Sequence, residues 1–132
     1  MRKSNLRCFE FNVSECPDLA PPLVALASGC DGTTILTGTE RLRSKESNRG
    51  LTLEQEFNKL GVKVVNHQTS LEVTGTKTLN KATVLSHNDH RIAMALAVTG
   101  TALIEEINIE GAECVNKSYP DFFKDCQTLG CN

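Results

Sequence analysis

Two stretches decide the fold: Asp18-Leu19-Ala20-Pro21-Pro22-Leu23-Val24-Ala25-Leu26-Ala27-Ser28 and, 71 residues on, Asp89-His90-Arg91-Ile92-Ala93-Met94-Ala95-Leu96-Ala97-Val98-Thr99. Each opens on an acid and then runs on in Ala and Leu, uncharged after Asp18 in the first and after Arg91 in the second. A helix apolar on all sides is a buried one. Proline is tolerated in a first helical turn, so Pro21 and Pro22 set the first helix to start near Asp18, and Gly29 closes it.

The other elements follow outward from these two. A strand over 7–13, around Phe9 and Phe11, precedes the first helix, and the β-branched run Thr33–Thr37 is a strand after it. The spacing of Leu53, Phe57 and Leu60 predicts a helix over 47–60 ended by Gly61, with Gly50 a soft spot inside it. Residues 63–66 and 70–74 alternate as a hairpin. After Gly75 the order restarts, with a strand over 82–86, the second buried helix over 89–99 and a strand over 104–109. Last comes an amphipathic helix over 119–129 with Phe122, Phe123, Cys126 and Leu129 on one side, and Ser118 with Asp121 resembles a capping box.

Landmarks recur in the same order: Ala25-Leu26-Ala27 returns as Ala95-Leu96-Ala97, Gly38-Thr39-Glu40 as Gly111-Ala112-Glu113, and Lys45 as Lys117. The expected fold is therefore α/β (α+β), one partial domain over 1–132. It is built of two repeated β-α-β-α-β-β units, about 7–75 and about 80–130, the second lacking its final hairpin.

Composition bounds the function. A chain of 132 residues, 39% hydrophobic and 23% charged, suits one domain and excludes two independent ones. Fourteen basic against sixteen acidic residues, net charge -2, exclude a broad surface for nucleic acid. The longest uncharged run, Ile92 to Ile104, is short of the roughly 20 residues of a membrane span, and no apolar signal segment follows Met1, so no membrane partner and a cytoplasmic location are expected. Six cysteines without a Cys-x-x-Cys pair predict reduced thiols.

Charge is nevertheless concentrated locally. Arg41, Arg43, Lys45 and Arg49 fall within nine residues, and His90 and Arg91 open the second buried helix. Helix starts expose backbone amides and the positive end of the dipole, so added cations make an anion site. If the copies are related by pseudo-symmetry, Asp18, Lys45, Asp89 and Lys117 line one edge, suiting a substrate with phosphates and carboxylates. Other readings stay open at this point. Asp18 and Asp89 are also what plain N-caps look like, and Arg41, Arg43 and Lys45 what a solvated strand end looks like. His87 and His90 lack a third ligand at a recognisable spacing, so no metal site is expected, and His67 falls in a hairpin turn. Ser47 and Ser118 lack the His and Asp context of a nucleophile.

Lys45-Glu46-Ser47-Asn48-Arg49, Asn88-Asp89-His90-Arg91-Ile92-Ala93-Met94-Ala95 and Lys117-Ser118-Tyr119-Pro120-Asp121-Phe122-Phe123 resemble three signature segments of the enolpyruvylshikimate-phosphate synthase family. Pro17-Asp18-Leu19-Ala20-Pro21-Pro22-Leu23, then Gly32-Thr33-Thr34 ahead of Arg41-Leu42-Arg43, fit the same family in the same order, so the resemblance runs from about Phe9 to Gly130. It implies the inside-out α/β barrel of the enolpyruvyl transferases and a carboxyvinyl transfer from phosphoenolpyruvate to shikimate 3-phosphate, with no cofactor. By resemblance, Arg49, Arg91 and Lys117 bind phosphoenolpyruvate and Lys45 contacts shikimate 3-phosphate. Asp18 is then the base on the attacking hydroxyl, Glu46 a proton-transfer group and His90 a supporting polar group.

Two positions depart from the pattern: Asn48 stands where many members have Asp, and Arg41 where some place Asn. The chain also resembles only the last two units of the family's C-terminal domain. A fragment inactive alone is expected, whose partner is the missing N-terminal domain and whose unpaired sheet edges favour self-association. Two other readings are a non-catalytic anion-binding module that keeps the fold and a fragment of the sister transferase acting on a nucleotide sugar. Lys45-Glu46 and Asp89-His90-Arg91 match the shikimate branch better.

Overall fold

Short β-branched runs and two alanine-rich helices set the architecture. The computed structural model describes residues 7–45, 48–102 and 107–128; of these, the side chains of Ser44, Ala102, Lys117 and 126–128 are not described. Strand β1 (Glu10–Asn12) leads through a 3₁₀ turn (Pro17–Leu19) into helix α1 (Ala20–Ser28), and β2 (Thr33–Thr37) returns parallel to β1, Glu10 opposite Ile35. A second 3₁₀ turn (Glu40–Ser44), helix α2 (Arg49–Lys59) and the hairpin β3 (Lys63–Asn66) and β4 (Ser70–Thr74) follow. The hairpin joins through β4, which pairs antiparallel with β2, so the sheet order is β1-β2-β4-β3.

The remaining elements are β5 (Thr83–Leu85), α3 (His90–Ala102), β6 (Asn108–Glu110), a 3₁₀ turn (Ala112–Lys117) and α4 (Phe122–Thr128). β5 and β6 form a separate parallel pair, Val84 opposite Ile109.

The alternation of β2, β3 and β4 places Leu36, Val64, Leu71 and Val73 on the buried face. Against them pack Leu53 and Phe57 of α2, Val24 and Ala27 of α1, and Ile92 and Leu96 of α3, in one core. A smaller cluster joins Ala93 of α3 to Cys114, Val115 and Phe122. Burying a helix buries its hydroxyls too. Ser28 in α1 and Thr99 in α3 each donate to the carbonyl four residues back, Val24 and Ala95, both at 2.8 Å, which satisfies them in place. No helix among the described residues is long and apolar enough to cross a membrane.

Several boundaries differ from the expectation. Arg41 and Arg43, for which a solvated strand end is one of the open readings, lie instead in the 3₁₀ turn Glu40–Ser44 and donate to the backbone carbonyls of Ser14 and Gln68. The last helix starts at Phe122, because Ser118 closes the preceding 3₁₀ turn and does not open α4. Phe122 is buried while Phe123 is 38% exposed, since adjacent helical residues point 100° apart. Strand β6 runs to Glu110; residues 104–106 and Leu129 lie outside the described residues. Gly50 is more than a weak helix former: a Cβ there would come within 3.0 Å of Asn66 Oδ1, so the missing side chain lets the hairpin approach α2.

Candidate functional site

Arg49 opens α2 with a side chain only 1% exposed, and a guanidinium leaves water only when its donors are met. Its Nε donates to Asp89 Oδ2 at 2.8 Å and one terminal nitrogen to Asp89 Oδ1 at 3.1 Å, a two-pronged pairing that fits the planar fork. The other terminal nitrogen donates to Asp18 Oδ1 at 2.9 Å. One arginine thus joins the 3₁₀ turn before α1, the start of α2 and the residue before α3.

The two aspartates differ in what surrounds them. Asp89 is fully buried; besides holding Arg49 it accepts the backbone N–H of Arg91 at 3.1 Å, and its carbonyl takes the N–H of Ala93. It is therefore both the cap of α3 and the brace of Arg49. Asp18 makes no side-chain cap to α1, whose preceding residue is Leu19. Its carboxylate is half exposed and faces cations: Lys45 Nζ lies 3.8 Å from Oδ1, and an Arg91 terminal nitrogen 3.6 Å from Oδ2. Partial burial pushes the Asp18 carboxyl up, but Arg91, the hydrogen bond from Arg49 and the Lys45 charge outweigh that and hold it below the ordinary range.

Asp18, Lys45, Arg49 and Arg91 are therefore brought together, and His90 lies beside them at the start of α3. Its Nδ1 is buried and has no hydrogen-bond partner among the described residues. Glu46 lies outside the described residues, and Lys117 ends the third 3₁₀ turn with its side chain not described. Asn48 caps α2, its Oδ1 accepting the N–H of Leu51 at 3.3 Å. Sequence reasoning left Asp89 as a cap or an edge residue and missed its grip on Arg49. It missed Glu56 altogether, a buried acid of α2 seven residues past Arg49, a spacing that puts both on one helix face.

The arrangement suits a small anion. Arg91, 40% exposed, and Lys45, 25% exposed, present charge to solvent beside an ionised carboxylate, and Arg49 supports them from within. Among the described residues no group of three His, Cys, Asp or Glu is placed to hold a metal ion.

Comparison with known proteins agrees with the residue pattern. The profile of EPSP synthase (3-phosphoshikimate 1-carboxyvinyltransferase) matches residues 1–126. A 3-phosphoshikimate 1-carboxyvinyltransferase of Clostridium kluyveri is 49% identical over 119 residues, covering 90% of this chain and 28% of the relative. One of Clostridium botulinum (strain Alaska E43 / Type E3) is 43% identical over 131 residues, 98% of this chain and 30% of that protein. The EPSP synthase of Acinetobacter baumannii superposes with a TM-score of 0.80 at 29% identity, over 88% of this chain and 28% of that one. The enolpyruvyl transferase NikO of Streptomyces tendae shares the fold, with a TM-score of 0.79 at 21% identity over 99% of this chain and 30% of that one. The chain thus spans less than a third of the length of these relatives. With the profile running almost end to end through the segments that hold Asp18, Arg49 and Arg91, the chain belongs to the EPSP synthase family.

Proposed function

We propose that this chain carries the phosphoenolpyruvate side of a carboxyvinyl-transfer site and is inactive without the rest of a longer enzyme. In this reading Arg49, Arg91 and Lys117 hold phosphoenolpyruvate, Lys45 meets shikimate 3-phosphate, and Glu46 moves a proton with His90 in support. The convergence of Lys45, Arg49 and Arg91 on Asp18 carries the proposal.

The same convergence gives Asp18 a way to act as base. Three cations keep it ionised and weakly basic while the site is empty. Substrate phosphate and carboxylate groups neutralise Arg91 and Lys45, so the proton affinity of Asp18 rises as the site fills. The methylene carbon of phosphoenolpyruvate gains a proton, the shikimate 3-phosphate hydroxyl oxygen bonds to the cationic carbon, and Asp18 takes the hydroxyl proton. Loss of phosphate and of a methyl proton regenerates the double bond as an enol ether.

In the same proposal the chain is one partial domain of two related units, about 7–75 and about 80–130. Ser28 and Thr99, 71 residues apart, bond alike to the carbonyl four residues back, which supports that pairing. β1 and β3 end the first sheet, and these edges favour self-association, which light scattering over a concentration series reads directly.

The test is exchange of this chain for the matching segment of the Clostridium kluyveri relative. Turnover retained by the chimera and lost with Asp18→Asn supports the reading. A folded chimera that binds neither substrate refutes it. The isolated chain is expected to answer phosphoenolpyruvate weakly in calorimetry, and not at all as Arg91→Ala.

A further inference from the structure

A second contact runs from α2 to the segment before α3, two turns along from Arg49, and the proposed reaction makes no use of it. Glu56 is 1% exposed. Its Oε1 accepts the backbone N–H of Leu85 and the Lys59 ammonium, each at 2.8 Å, and its Oε2 lies 2.9 Å from His87 Nε2. Burial pushes the Glu56 carboxyl up, but the bonds from His87, Lys59 and Leu85 together hold it below the ordinary range. An ionised carboxylate only accepts, so His87 donates from Nε2.

The backbone at His87 needs holding. His87 (φ 55°) and Asn88 (φ 56°) both lie in the left-handed region, side by side and directly before Asp89. Such a residue costs up to about 1–2 kcal/mol, less for His and Asn than for most types, and it persists only where its surroundings hold it. Ser86 does part of this: its hydroxyl donates to the Gly111 carbonyl at 2.9 Å and accepts the N–H of Asn88 at 3.2 Å. Residues seven apart share a helix face, so Glu56 and Arg49 make two rungs from α2 to one short segment. The first grips Leu85 and His87; the second grips Asp89.

We propose that Glu56 and His87 are positioning residues, which clamp the turn at 86–88 so that Asp89 meets Arg49 and α3 starts with Arg91 turned to Asp18. The functional meaning rests on the anion-site reading above; the clamp rests on geometry alone.

His87→Asn and His87→Gln in the full chain separate the clamp from general stability. Asn takes the left-handed backbone more readily than His, yet is too short to reach Glu56; Gln places its amide nitrogen where Nε2 stood. NMR reads the solvent exchange of the Arg49 Nε–H without ligand, beside the thermal midpoint. Exchange is expected to be about tenfold faster in His87→Asn and within about twofold of the parent in His87→Gln, with similar midpoints. Phosphoenolpyruvate affinity should weaken in the same order. Unchanged exchange in His87→Asn overturns the proposal, as does acceleration that His87→Gln fails to reverse or that follows the midpoint in every variant. If the exchange order holds while the parent chain gives no phosphoenolpyruvate response, the anion-site reading fails and the clamp stands.

Discussion

Asp18 and Asp89 share one arginine, so the same substitution at each measures what burial adds to a charge pair. In Asp89→Asn the remaining oxygen can still take the Arg91 N–H, but an amide NH₂ then faces a guanidinium N–H, donor against donor. Arg49, 1% exposed, also loses its buried countercharge. Removing one partner of a buried pair costs about 3–5 kcal/mol, because the other charge stays out of water. Asp18→Asn takes a carboxylate from the same guanidinium at a similar distance, 2.9 Å, yet Asp18 is half exposed and water can replace it. Fully exposed pairs are worth about 0.2–1 kcal/mol, and the loss at half-exposed Asp18 should lie nearer that range than the buried one. The assay is urea unfolding followed by circular dichroism. With a slope of about 1–3 kcal/mol per molar for a domain of this size, Asp89→Asn should lower the midpoint by more than about 1 M, and Asp18→Asn by much less. Equal shifts, or the larger one at Asp18, would refute the assignment of Asp89 as the buried brace.

Three further outcomes follow from other parts of the molecule. At Gly75 an added Cβ would overlap the backbone carbonyl oxygen of Cys30, whereas at Gly50 it would meet only the tip of the Asn66 side chain. Gly75→Ala should therefore cost more than about 2 kcal/mol in the same urea assay, and Gly50→Ala should be near neutral, because about 1 kcal/mol of helix propensity offsets the crowding. Asp18 and Glu56 both have carboxyl groups held below their unfolded values, so their contribution is complete above the ordinary carboxylate range. It is lost as the pH falls below that range through the lowered folded values, and unfolding against pH should show a shallower acid limb in Glu56→Gln than in the parent chain. Phe57→Ala empties a fully buried core site and should cost about 3–5 kcal/mol without altering the Arg49 Nε–H exchange beyond the general loss of stability.

Elements governed by local rules were legible in the sequence. Strands β2, β3 and β4 fall where β-branched alternation put them, and α1 begins beside its prolines. The gathering of cations was legible too, since Lys45, Arg49 and Arg91 flank helix starts. What stayed hidden depends on partners far along the chain. Asp89 reads as a cap because capping is local, while its bond to Arg49 crosses 40 residues. Glu56 reads as one polar position on an amphipathic helix; its partners Leu85 and His87 lie 29 and 31 residues away. The start of α4 was misplaced because Ser118 ends one turn of chain before it can begin another.

The grip of Arg49 on both aspartates also says when the site comes into being. Its bonds close loops of 31 and 40 residues, and long closures form only after the segments between them have condensed. A chain still emerging from synthesis, ended before Asp89, would carry Arg49 without its buried partner and α2 without its neighbour. The cluster of cations around Asp18 is thus a late product of folding, and its appearance in time reports that the two halves of the chain have docked.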